Sequence, residues 1–193
     1  SLLYIRRRLE QVNPLSEAIA IVLDPTGKDT LIDDLDILVM VRGAKVDAGQ
    51  GMRHIVAGFS DLGKLYMDYR FGTPSLAHLL SRELHEEANL GPSDLINGIM
   101  PMGIVQDHLS TQIQCLTLTN LKRDKLCDKM RDARDWREAE RFEFIKIRDL
   151  SQYCREFPVY SHSKPLFTTD EGINLLRARI AEMRGEDLDF SRS

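Results

Sequence analysis

The chain has 193 residues, 42% of them hydrophobic, and a net charge of -4, enough for one compact domain with a real core. Basic and acidic residues interleave, which argues against a general nucleic-acid-binding or membrane-surface protein. Three cysteines without a CxxC pair suggest neither a disulfide framework nor a cysteine zinc site and fit a reducing, cytoplasmic setting, and no apolar run approaches a membrane span.

No basic-then-apolar leader opens the chain, and Ser1-Leu2 are set aside from the fold argument. SEAIAIVLD, residues 16–24, has the short apolar run of a buried strand, closed by the turn chemistry of Asp24-Pro25-Thr26-Gly27. DILVMVR, residues 36–42, repeats the pattern, so the two predict an antiparallel pair joined by the acidic loop 28–34. RHIVAGF, residues 53–59, is a third strand, and residues 60–73 have no clear period and read as a long loop.

A helix follows from Pro74, with Thr73 as its N-cap and Leu76, Leu79, Leu80, Leu84 and Ala88 as its apolar stripe. Asn89 and Gly91 end it. IMPMGIVQD (99–107) and TQIQCLTLTN (111–120) predict strands, residues 121–137 give mixed signals, and RFEFIKIRDL (141–150) predicts the last strand. A short helix over 150–157 and a longer one over 170–183 follow, and residues 186–193 read as a loose tail. This order predicts one α+β domain over residues 3–185, an α/β/α sandwich with a central mixed sheet flanked by helices.

The stretch SRELHEEANL, residues 81–90, crowds acidic charge onto that helix. Offsets of three and four residues put Glu83 on one face with Glu86 and Glu87, where each like-charge pair costs a few tenths of a kcal/mol. Either a cation offsets the repulsion or the face is solvated.

Residues 82–90 resemble the core of the Nudix box, GX5EX7REUXEEXGU, where U is a bulky aliphatic residue. Every position agrees except the box glycine, which is Asn89 here, and asparagine also takes a left-handed helix end readily. The resemblance implies a magnesium-dependent pyrophosphohydrolase, with manganese as a substitute ion, that cleaves a nucleoside diphosphate linked to another moiety: a nucleotide sugar, a nucleoside triphosphate or a dinucleotide. It implies Glu86 and Glu87 as metal ligands, Glu83 as a further ligand or as the base for a water, and Arg82 as a brace for the carboxylates. Magnesium takes oxygen ligands and commonly bridges carboxylates to phosphates.

The amino-terminal half of the box departs from the pattern. Counting back from Arg82 puts Pro74 at the box glutamate and Asp68 at the box glycine. An insertion after Gly58 accounts for this, with Ala57-Gly58-Phe59 as the loop entry and Phe71-Gly72-Thr73 as the turn into the helix. Asp61 or Asp68 is then the candidate for a replacement acid. By the same resemblance Glu138 or Glu140, before the last strand, would face the site as a base.

His78 and His85 read as structural, and Arg6-Arg7-Arg8 as a solvated end. Phe59, Tyr66, Tyr69 and Phe71 either stack on a base or pack the inserted loop, and Trp136, among charges, either marks a partner surface or has no role. The expected partner is a nucleotide substrate, with no nucleic acid and no membrane, and the resemblance also implies a homodimer. The alternative is a catalytically weak Nudix-fold nucleotide-binding or regulatory module, as the missing box glutamate suggests.

Overall fold

The apolar strand at the start of the chain organises everything described in the computed structural model, which covers residues 15–44, 49–59, 76–106, 111–160 and 163–186. Strand β1 (Leu15–Leu23) runs parallel to β6 (Thr111–Thr119) along its whole length, from Leu15 against Thr111 to Leu23 against Thr119. Its other edge is shared. β4 (Val56–Phe59) pairs antiparallel with the first half, Glu17 against Gly58 and Ile19 against Val56. β2 (Asp36–Arg42) pairs antiparallel with the last two residues. β5 (Leu95–Gln106) flanks β6, while β3 (Arg53–His54) and β7 (Ala139–Lys146) flank β2. Among the described residues these strands make one mixed sheet of seven.

Side chains alternate across a strand, so β1 feeds two cores. Ala18, Ala20 and Val22 join Ile37, Val39, Ile173, Leu176 and Ile180 on one face. Ile19, Ile21 and Leu23 join Leu80, Leu84, Ala88, Leu126 and Met130 on the other. Helices cover both faces. α1 (Leu76–Ala88) and α2 (Arg123–Arg131) lie on the second, and α3 (Leu150–Glu156), α4 (Lys164–Thr168) and α5 (Asp170–Arg184) on the first. The expected α/β/α sandwich is therefore what forms.

Three details differ from the sequence reading. RHIVAGF is two strands, because His54 pairs with Met40 of β2 while Val56 pairs with Ile19 of β1; the chain changes partner at the fully buried Ile55. The last strand starts at Ala139 and ends at Lys146, where Ile147 turns its buried side chain into the core and its N–H donates to Leu35 O at 3.1 Å. The stretch with mixed signals contains α2, whose buried residues are Leu126 and Met130, one turn apart.

The C-terminal helix is locked to the sheet by charge. Arg184 donates from Nη2 and Nε to both oxygens of Asp24, at 2.6 and 2.8 Å, with both side chains nearly inaccessible, and from Nη1 to Thr30 O at 2.7 Å. No described helix is long and apolar enough to cross a membrane. The Thr73 cap, the 60–73 loop with Asp61, Asp68, Tyr66, Tyr69 and Phe71, the Arg6-Arg7-Arg8 cluster and residues 187–193 lie outside the described residues, as do the side chains of Phe59, His78 and Trp136.

Candidate functional site

Helix α1 owes its position to Leu80, Leu84 and Ala88, which seat it on β1 and turn its acidic face along the sheet toward β4. Its end is the left-handed turn that the sequence predicts at Asn89, with φ 52°. The Asn89 N–H donates to His85 O and the Leu90 N–H to Leu84 O, each at 3.1 Å, so the last carbonyls are satisfied. His85 is exposed and belongs to the outer surface.

The carboxylates fall into two environments. Glu83 and Glu87 are buried; Glu86 is partly open. Arg82 donates from Nη2 to Glu83 Oε1 at 2.8 Å and brings Nε within 3.7 Å of Glu86 Oε2. The bond to Glu83 holds the Arg82 guanidinium protonated, and the charges of Glu83, Glu86 and Glu17 add to it against its partial burial. Arg82 thus bonds one carboxylate of the acidic face and lies within ion-pair distance of a second.

Glu87 sits deeper. Its Oε2 accepts the Ala57 N–H of β4 at 3.3 Å. Burial pushes its carboxyl well above the usual range, and the charges of Glu83, Glu138 and Asp135 push the same way, only the Ala57 N–H opposing them. A carboxylate held in such a field favours either a proton or a cation.

The segment after α2 closes the site from the side. Arg134 donates to Glu86 Oε1 at 2.9 Å, and the Asp135 N–H to the Glu86 carbonyl at 3.0 Å. Glu138 follows in the same turn, and its carbonyl accepts the Gly43 N–H at 2.8 Å. Partial burial and the charges of Asp135 and Glu83 raise its carboxyl, while Arg42 opposes them. Of the two candidate bases, Glu138 therefore belongs to the electrostatic cluster. Glu140 does not; both are exposed, but Glu140 is paired with Arg141 at 3.2 Å.

One acid escapes the sequence reading. Glu17, on β1, has no exposed surface. It lies on the same strand face as Ile19 and Ile21, which pack under α1, and its charge reaches Arg82. The only signal in the sequence is an acid inside an otherwise apolar run.

The donors are all carboxylate oxygens, which suit a hard divalent cation, and the raised Glu87 and Glu138 carboxyls mark the negative field that such an ion relieves. In the described arrangement Arg82 and Arg134 do the neutralising, and no three acidic, histidine or cysteine side chains among the described residues converge on a metal position. A cleft of about 470 Å³ lies nearby between α1 and β5, but its lining, including Leu80, Leu84, Leu95, Ile99 and Pro101, is apolar and contains none of these carboxylates.

Neither protein-family models nor curated proteins match the chain. Solved structures do. The NUDIX domain of Shewanella oneidensis NrtR complexed with ADP ribose aligns with a TM-score of 0.54 over 93% of this chain and 98% of that one, at 14% identity. The fold is the Nudix fold. The same NrtR complexed with a 27mer DNA gives 0.51 over 87% of this chain at 14% identity, and this chain spans 62% of its length. DR0079 from Deinococcus radiodurans gives 0.52 at 9% identity, over 85% of this chain and 82% of that one. In this Nudix fold α1 and the turn that ends it carry the box-like residues 82–90, and the acidic face of α1 is the one turned toward β4 and the turn before β7.

Proposed function

We propose that this chain hydrolyses the diphosphate linkage of a nucleoside diphosphate joined to another moiety, with magnesium or, in its place, manganese. The observation that carries the reading is the gathering of Glu83, Glu86, Glu87 and Glu138 around α1, with Glu87 buried in a field that disfavours its own ionisation. Glu86 and Glu87 would hold the cation, with Glu83 as a third ligand. Bound there, magnesium supplies neutralisation of the phosphoryl oxygens and acidity to the attacking water.

The chain's own residues do the rest. Arg82 keeps Glu83 fixed at 2.8 Å, which limits the motion of a carboxylate that must act at one point. Water attacks phosphorus, the bridging phosphorus–oxygen bond breaks, and the water proton passes to a carboxylate, either Glu83 or Glu138. A nucleotide and the phosphorylated remainder of the substrate leave. Glu138 suits the proton-accepting role because its raised carboxyl lies closer to neutral pH than an ordinary glutamate.

ADP-ribose is the first substrate to test, because the NrtR NUDIX domain was solved with it. The expected setting is the cytoplasm, the domain is taken to span residues 3–185, and a homodimer is part of the reading; neither nucleic acid nor a membrane is among the proposed partners. A second reading, a nucleotide-binding regulatory module without efficient turnover, is favoured by one observation: Arg82 and Arg134 already engage Glu83 and Glu86. The experiment is nucleotide and phosphate release from ADP-ribose, nucleoside triphosphates and dinucleoside polyphosphates with magnesium, for the native chain, Glu86→Gln and Glu87→Gln. Turnover lost in both folded variants supports the hydrolase. Binding without turnover across the panel replaces it with the regulatory module.

A further inference from the structure

Arg134 meets the acidic face from the solvent side. Its backbone is held on both flanks: the N–H of the buried Ala133 donates to Met130 O at 3.2 Å, and the Asp135 N–H donates to the Glu86 carbonyl at 3.0 Å. From this fixed turn the side chain reaches across and donates from Nη1 to Glu86 Oε1 at 2.9 Å. It is 72% exposed nevertheless.

A guanidinium carries five N–H donors in a flat fork, and the bond to Glu86 is the one that the Arg134 guanidinium makes among the described residues. That bond fixes where the group sits and leaves the outward edge of the fork to solvent. Arg82 is different. Its side chain is 21% exposed, bonds Glu83 at 2.8 Å and lies 3.7 Å from Glu86, so its guanidinium is engaged within the helix.

A diphosphate brought against Glu83, Glu86, Glu87 and Glu138 meets a face of its own sign, and Arg134 is a cation at the rim of that face. The fork of an arginine matches phosphate oxygens, because it presents two parallel N–H groups to them. We propose that Arg134 is a substrate-binding residue: Glu86 holds one edge of its guanidinium, and the opposite edge takes the phosphate oxygens of a nucleoside diphosphate derivative. The proposal rests on the diphosphate substrate of the hydrolase reading and names a protein group that contacts it. An exposed ion pair adds little to stability, so the residue can be replaced without loss of the fold.

The test is the affinity of the full chain for α,β-methylene-ADP, which keeps the diphosphate charge but resists hydrolysis, read by isothermal titration calorimetry in magnesium buffer. The variants are Arg134→Ala, Arg134→Lys and Arg131→Ala, with thermal melting as the check on folding. Arg131 is the control: it is as exposed as Arg134, has the same charge and pairs with Asp128 at 3.3 Å instead of with the acidic face. Arg134→Ala is expected to weaken binding about 10- to 100-fold, the size of one lost hydrogen bond to a charged group. Arg134→Lys should recover only part of the loss, since an ammonium keeps the charge without the fork. Arg131→Ala should bind as the wild type does. Unchanged affinity in Arg134→Ala overturns the proposal, and so does an equal loss in Arg131→Ala, which would mark a general effect of net charge. A wild type that does not bind the probe overturns it as well. If the wild type binds the probe but hydrolyses none of the nucleotide panel, the hydrolase reading falls and the affinities still decide on Arg134. If Arg134→Ala loses turnover at unchanged affinity, the hydrolase reading stands and the binding role of Arg134 falls.

Discussion

The Ala57 N–H of β4 donates to Oε2 of Glu87 at 3.3 Å, tying the acidic helix to the strand beside β1. That single bond is the one stabilising contribution set against burial and three neighbouring negative charges on Glu87. A divalent ion bound at this face should therefore stabilise the fold. At one hundred times its dissociation constant, such an ion contributes about 2.7 kcal/mol, which for a chain of this size raises Tm by roughly 5–10 °C. Glu87→Gln removes the buried charge at nearly constant shape. It is expected to melt above the wild type in metal-free buffer at neutral pH and to lose most of the response to magnesium, as calorimetry with chelator and with added magnesium would read.

His54 gives the pH dependence. It is buried on β3 beside Met40, and neither ring nitrogen has a hydrogen-bond partner among the described residues. Burial, and then the charge of Arg42, lower its pKa to about 4. A histidine depressed in the folded state contributes stability that is fully present above its unfolded value near 6.5 and is lost as pH falls toward 4. The loss over that window is on the order of 3 kcal/mol. His54→Leu should flatten this part of the curve and be neutral or stabilising at pH 7.5, because an apolar side chain leaves no buried nitrogen unmet. A variant that is less stable at pH 7.5 and keeps the full acid slope would refute this account.

The parts of the molecule legible in sequence are those written in side-chain period. Leu80, Leu84 and Ala88 announce α1, and Ile173, Leu176 and Ile180 announce α5, because each set occupies one face of a helix. Asn89 announces the helix end, and its φ of 52° is the conformation that asparagine tolerates. What the period does not carry is pairing. The change of partner at Ile55 depends on where β1 and β2 diverge, and no local residue records it. The site shows the same division. Arg82, Glu83, Glu86 and Glu87 are readable as a run, whereas Glu17 lies on the α1 side of the sheet only because odd positions of β1 face α1, and the choice of face is set by the packing of the whole sheet.

The buried pair of Asp24 and Arg184 fastens α5 to the end of β1 with two bonds, at 2.6 and 2.8 Å. Removing one partner leaves an uncompensated charge, at a cost of about 3–5 kcal/mol. Arg184→Met is therefore expected to lower the urea midpoint strongly at an unchanged slope. The double variant Asp24→Leu with Arg184→Met should recover much of that loss, since the costly feature is the orphaned charge and not the missing bond. If the double variant is less stable than Arg184→Met alone, the loss comes from packing instead.

Glu138 and Glu140 stand two residues apart at the start of β7, and both are exposed. Both precede the body of β7, and sequence spacing treats them alike. The structure does not. Glu138 shares the electrostatic field of Glu83 and Glu87, and its carbonyl anchors Gly43, where an added Cβ would approach that oxygen to 3.3 Å. Glu140 faces solvent with Arg141, and an exposed pair of this kind contributes about 0–1 kcal/mol. Glu138→Gln is expected to lower kcat by about 100-fold or more, the usual scale for a positioned proton acceptor, with little change in KM. It should also flatten the acid limb of the rate against pH, because the group that must lose its proton is gone. Glu140→Gln should leave kcat, KM and Tm within error of the wild type. Equal losses in both variants would place the proton acceptor elsewhere, with Glu83 as the remaining carboxylate of the helix assigned to that step.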